Sequence, residues 1–202
     1  MKHRYFVLNK PYGMESQFIS PYPGPLLGDI SFLFPEGTHA IGRLDKYSEG
    51  LLLLTTNKKI TTLLFQSATP HERVYLVQVK HIVSDESLET LRSGVDIRIS
   101  ENDFYTTPAC KVVRAVPPPF PSPRHFPAYV ENTWLEITLT EGKFRQVRKM
   151  VAAIRHRCMR LVRISIENLT LGDLAPGCVR ELEEESFFNL LKLDTSSLHA
   201  AV

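Results

Sequence analysis

Asp45 is the residue best placed to do chemistry. It stands in Gly42-Arg43-Leu44-Asp45, just before the apolar run Leu51-Leu52-Leu53-Leu54. A turn and a buried strand would hold its carboxylate at the mouth of a sheet. A carboxylate fixed there can act as nucleophile or proton acceptor; in an arbitrary chain it more often closes a turn or caps an element. Asp45 with Glu49 would be the pair of a glycoside hydrolase, but Glu49 belongs to no recognisable pair. Cys158 reads as core filler, not as a nucleophile. The seven histidines show no HxxxH or HExxH spacing, and Cys110, Cys158 and Cys178 form no CxxC pair. No metal site is expected.

Three other features shift the odds toward catalysis: the tyrosine of Arg73-Val74-Tyr75, the segment Gly142-Lys143-Phe144-Arg145-Gln146-Val147-Arg148-Lys149-Met150, and Asn9-Lys10-Pro11. The elements that must position them follow from hydrophobic period and turn residues. Strands are predicted at 5–8, over Leu51–Leu54 (buried on both faces), at 74–79, and near 95–99, 110–116, 133–140, 158–166 and 178–182. Helices are predicted at 58–66, from a Ser84 cap to Gly94, and at 183–193, with a two-turn helix within 25–34. Residues 144–155 are predicted as a helix whose apolar stripe is Phe144, Val147, Met150, Val151 and Ile154. Arg148 falls about 100° from the centre of that stripe, at the edge of the buried face, with Arg145 and Lys149 further toward solvent. It could reach into a cleft or be a rim cation. Six prolines among residues 117–127 exclude helix and central strand, leaving a surface excursion within one sheet. Strands and helices mix without regular βαβ alternation, which points to an α+β fold with a largely antiparallel sheet.

The chain has 202 residues, 43% hydrophobic and 23% charged, as expected of a soluble globular protein of one domain or two closely joined lobes. With Lys+Arg 24 against Asp+Glu 22, it is neither a polycation nor an acidic tail. The charge is nevertheless uneven: residues 143–166 hold eight Lys and Arg and no acid. Such a run is usually a solvated helix face; spanning a helix and a strand, it tilts toward a phosphate-tracking surface. The longest apolar run cannot span a bilayer, and no signal peptide precedes the first strand, so a cytoplasmic protein is expected.

Taken in order, these motifs resemble the pseudouridine synthases, in the branch acting on ribosomal RNA. Gly42-Arg43-Leu44-Asp45 followed by Ser48, Gly50 and Leu51–Thr55 is similar to the branch's catalytic-aspartate motif. Tyr75 and Arg148 match its active-site tyrosine and arginine, Asn9-Lys10-Pro11 its N-terminal motif, and Leu174-Ala175-Pro176-Gly177 with Arg180-Glu181-Leu182 its last strand. The resemblance covers roughly residues 4 to 182. It implies the family's α+β fold, a largely antiparallel mixed sheet with flanking helices around a central active-site cleft. Residues 1–182 would form the catalytic domain, as two lobes around one cleft, and 183–202 a helical tail. The small N-terminal RNA-binding module of many relatives would be absent, since the first motif begins near residue 5. The proline-rich insertion resembles that of the E-type members, which modify large-subunit ribosomal RNA. Two departures keep or raise positive charge: Arg73 replaces the usual Lys, and Asn57-Lys58-Lys59 the usual Asn-Asp-Gly.

The implied reaction breaks the uridine N1–C1′ bond, turns the uracil and rejoins it through C5, without a cofactor. Asp45 would be the ionised catalytic carboxylate. Arg148 would hold it ionised, since an opposite charge at close range lowers an Asp pKa by about 1–3 units. Tyr75 would stack on the flipped uracil, although a half-buried strand tyrosine is common for other reasons. Everting the nucleotide costs a few kcal/mol, offset by RNA contacts expected from Lys10, Arg43, Lys46, Arg73, Lys143, Arg145, Gln146 and Lys149, with Arg124 and His125 of the proline loop as weaker candidates. The expected partner is large-subunit ribosomal RNA or an assembling ribosomal particle, met by a monomer. The competing reading is a ribosome-assembly or RNA-binding factor that keeps the fold without the chemistry.

Overall fold

The computed structural model describes residues 2–65, 69–127 and 129–193. Its elements in chain order are β1 (Tyr5–Lys10), β2 (His39–Ile41), β3 (Glu49–Thr55), α1 (Ile60–Phe65), β4 (Arg73–Lys80), α2 (Asp85–Ser93), β5 (Asp96–Arg98), β6 (Phe104–Thr106), β7 (Lys111–Arg114), β8 (Asn132–Leu139), α3 (Gln146–Ala153), β9 (Cys158–Ile166), β10 (Leu169–Thr170), β11 (Val179–Leu182) and α4 (Glu184–Leu190). The chain divides into two compact units, residues 1–71 with 163–202, and residues 72–162.

In the first unit β1 lies between β11 and β3, antiparallel to both, and β2 adds to β3. All seven residues of β3 are buried, as the uninterrupted leucine run predicts. Successive side chains of β1 point to opposite faces, and aromatic residues cover each. Tyr5 meets Phe187 and Phe188 of α4, while Phe6 meets Phe32 and Phe34 edge-on. The terminal helix is therefore part of this unit's core; residues 194–202 of the expected tail lie outside the described residues.

The helix expected within 25–34 is absent. Only a single 3-10 turn forms, Leu27–Asp29, where the Asp29 carboxylate accepts from the Leu26 amide. The reason is packing. Phe32 and Phe34 must both reach Phe6, and residues two apart share a face in extended chain but not in a helix.

In the second unit β4, β8 and β7 form an antiparallel array, with β5 and β6 as a separate hairpin pair. Leu135, Ile137 and Leu139 of β8 alternate into a core shared with Val77 and Val79 of β4, Leu88 and Leu91 of α2, and Val147, Met150 and Val151 of α3. The Ser84 side chain caps α2 as predicted, accepting from the Ser87 amide. The proline-rich stretch joins β7 and β8, which pair in one sheet. Arg160 holds it down: its guanidinium lies 5.3 Å from the Phe120 ring centre and 6.0 Å from that of Trp134, and donates to the Pro121 carbonyl.

The third helix is shorter than its sequence pattern. Arg145, at φ 54°, is left-handed and cannot continue a helix, so α3 starts at Gln146. Phe144 leaves the predicted stripe and is 73% exposed, while Val147, Met150 and Val151 are buried as expected. At its other end Arg155 takes the left-handed position usually given to glycine. The Arg155 amide then bonds to Ala152 and the His156 amide to Val151, closing a Schellman cap.

Candidate active site

Asp45 sits half-buried in the loop between β2 and β3, and neighbouring backbone is tied down from several directions. Gly42, at φ 61°, opens the loop in a conformation suited to glycine, and a Cβ there would run into the Phe65 ring. Its carbonyl accepts from Arg163, whose Nε also donates to the Leu51 carbonyl at the start of the leucine run. One buried guanidinium thus bridges both sides of the loop. Ser16 clasps Leu44, its Oγ accepting from the Leu44 amide at 3.1 Å and donating to the Leu44 carbonyl at 2.8 Å. Past the aspartate, the Lys46 carbonyl accepts from the Gly13 amide and from Lys10 Nζ, and the Ser48 amide donates to the Asp45 carbonyl.

Lys10 is a correction to the expected RNA contacts. It is fully buried, and its ammonium donates to the carbonyls of Pro11, Met14 and Lys46. Burial pushes its pKa down to about 8, against the pull of the acidic side chains of Glu49, Glu15 and Asp45. Its charge is spent on backbone carbonyls, that of Lys46 in the Asp45 loop among them, not on phosphate. Asn9 beside it explains why two distant motifs go together: its side chain donates to the Leu174 carbonyl, and its backbone bonds to Gly177 and Cys178.

Two more expected RNA contacts are buried. Arg73, the first residue of β4, lies close to Gly142, where a Cβ would come 3.4 Å from its Nη1. Gln146 turns its amide inward, accepting from the Lys143 amide and donating to Glu141. Among the basic residues of 143–166, Arg160 and Arg163 are buried as well, so the run is not one surface. Lys143, Arg145 and Arg43 are exposed; Lys149 is half-buried, and so is Lys46, which pairs with Glu15 at 3.7 Å.

Tyr75 and Arg148 belong to the second unit. Tyr75 lies opposite Ile137 in the β4–β8 register, half-buried against the core. Arg148 is half-buried on α3 and donates through Nη1 to the Cys158 sulfur at 3.4 Å. Burial raises the Cys158 thiol pKa, with Arg148 opposing; a thiol held protonated fits the filler role expected of it. The loop-anchoring roles of Arg163 and Ser16 have no local signature in the chain. Arg163 looks like one more cation of a basic run, and Ser16 like any loop serine.

The RNA pseudouridylate synthase family model matches residues 4–153, and the chain belongs to that family. It is a pseudouridine synthase, an intramolecular isomerase. It is 41% identical over 174 residues to the ribosomal large subunit pseudouridine synthase E of Xanthomonas axonopodis, spanning 84% of this chain and 89% of that one. With the enzyme of the same name from Vibrio parahaemolyticus it shares 38% over 179 residues, 88% of this chain and 73% of that one. A crystal structure of a pseudouridylate synthase superposes with a TM-score of 0.73 at 25% identity, covering 94% of this chain and 74% of that one. No helix among the described residues is long and apolar enough to cross a membrane.

Proposed function

We propose that this protein converts a uridine of large-subunit ribosomal RNA to pseudouridine, working as a monomer in the cytoplasm on the free RNA or an assembling particle, with Asp45 as the catalytic carboxylate. The N1–C1′ bond breaks and a C5–C1′ bond forms. The C5 hydrogen leaves as a proton and N1 takes one up, so the balance needs no oxidant or reductant. Asp45 acts at the sugar, by attack on C1′ or by taking a sugar proton toward a glycal; both routes need it ionised. Arg148 supplies the opposing charge and Tyr75 the stacking face for the everted uracil.

The observation that carries this reading is the bracing around Asp45. A buried arginine, a buried lysine and a buried serine all bond to the backbone of one short loop. Pre-organisation of that kind holds a reacting group in place before substrate arrives. The large-subunit target is supported by the relatives in Xanthomonas and Vibrio, which carry that name across most of this chain.

RNA labelled with tritium at uracil C5 tests it. Wild type should release label to water from large-subunit ribosomal RNA, and Asp45→Asn should slow release at least about 1,000-fold while still binding. Label retained by wild type would defeat the proposal, and growth defects rescued equally by Asp45→Asn would favour the non-catalytic assembly factor.

A further inference from the structure

The turn before α3 is built to hold a phenylalanine out in solvent. Phe144 is 73% exposed. A lone exposed apolar side chain is ordinary; the construction beneath this one is not. Arg145, next in the chain, takes the left-handed conformation at φ 54°, which ordinary residues avoid. Gln146 is buried, accepts from the Lys143 amide at 2.9 Å and donates to Glu141, which also accepts from the Tyr105 hydroxyl. The Lys143 ammonium lies 4.7 Å from the Tyr105 ring centre. The left-handed residue and the polar chain from the buried Gln146 through half-buried Glu141 to Tyr105 hold the turn with the ring outward.

The surroundings define what the ring would meet. The Lys149 ammonium stands 5.5 Å from the Phe144 ring centre, Lys143 and Arg145 flank it in the chain, and residues 142–149 contain no acid. A flat apolar face among cations is how proteins hold unpaired nucleobases: the ring stacks on the base and the cations meet the phosphates on either side. An apolar anchor for another protein would more often sit within an apolar patch than in a ring of charge.

We propose that Phe144 is a base-stacking residue that takes an unpaired nucleobase of the substrate RNA. The inference rests on the function proposed above and extends it to a contact with RNA outside the catalytic trio.

The test uses large-subunit ribosomal RNA transcribed in vitro, with Kd measured across a range of salt. Phe144→Ala should weaken binding about 10-fold or more and leave the slope of log Kd against log salt unchanged, because a ring releases no counterions. Lys149→Gln should instead lower that slope by up to about 1. Phe144→Trp should retain affinity, and its indole emission should be quenched by RNA beyond any change seen for Trp134 in wild type. A Phe144→Ala affinity within about 2-fold of wild type would overturn the proposal. So would a slope change equal to that of Lys149→Gln, or a drop in the urea midpoint showing that the ring packs in the fold. Tritium release by wild type, measured on the same RNA, separates the two readings. Stacking without release leaves this inference standing and removes the reaction, whereas wild type that fails to bind removes both.

Discussion

Lys10 and Arg163 in one unit, and Lys143, Arg145 and Lys149 in the other, are the same two residue types put to opposite uses. The first pair is buried, and its charges are absorbed by carbonyls of Pro11, Met14, Gly42, Lys46 and Leu51. In the second group Lys143 and Arg145 are exposed on either side of Phe144 in the chain, and the half-buried Lys149 lies over its exposed ring. A buried cation that satisfies several carbonyls positions backbone; a solvated one is available to phosphate. The linear sequence shows positive charge in both places and does not tell them apart.

Arg163→Met gives the sharpest break. It should lower the unfolding free energy by about 2–4 kcal/mol, because buried carbonyls lose a charged donor, and slow tritium release by loosening the Asp45 loop. Urea denaturation measures the first effect. An unchanged midpoint would mean that the buried guanidinium does not brace the loop.

Lys10 provides a pH handle. Its folded pKa of about 8 lies below the ordinary 10.5. Between those values the unfolded chain binds a proton that the folded one lacks, so stability rises with pH through that window. The stability of wild type relative to Lys10→Met should therefore improve by about 1–3 kcal/mol from pH 7.5 to pH 10. Tritium release at saturating RNA should fall over the same range, since a neutral amine has fewer donors for the three carbonyls. Urea titrations at both pH values, with a release profile, check the two directions.

On the exposed side, Lys143→Gln combined with Arg145→Gln should flatten the salt dependence of RNA binding by about 0.7–0.9 for each lost phosphate contact. Stability should stay within about 0.5 kcal/mol. A stability loss as large as that of Arg163→Met would erase the contrast between the two groups. The smallest effect is expected from Arg145→Gly: relief of the left-handed strain is offset by the freedom glycine gives the unfolded chain, so the urea midpoint should move by less than about 1 kcal/mol.

Much of the scaffold was legible because it depends on local pattern. The leucine run is a strand buried on both faces, Ser84 caps its helix, and the proline-rich stretch carries no regular element. Where packing or an unusual backbone conformation competes with the helical period, the pattern misled. Phe32 and Phe34 are drawn into extended chain by Phe6, and Phe144 is turned out by a left-handed neighbour and a buried glutamine. Lys10, Arg73 and Gln146 looked like RNA contacts because polarity is written in the sequence and burial is not.

By itself, then, the sequence determined the family and the longer strands, though not the short β2, β6 and β10, and it marked Asp45 as the candidate carboxylate, since motif spacing and hydrophobic period are properties of neighbours in the chain. Only the tertiary structure decided which cations face solvent and which hold backbone. Arg163 meets Gly42 across 121 positions of sequence, and Lys10 reaches Lys46 across 36. The free energy of a charge depends on what surrounds it in space, and no short window of residues contains that.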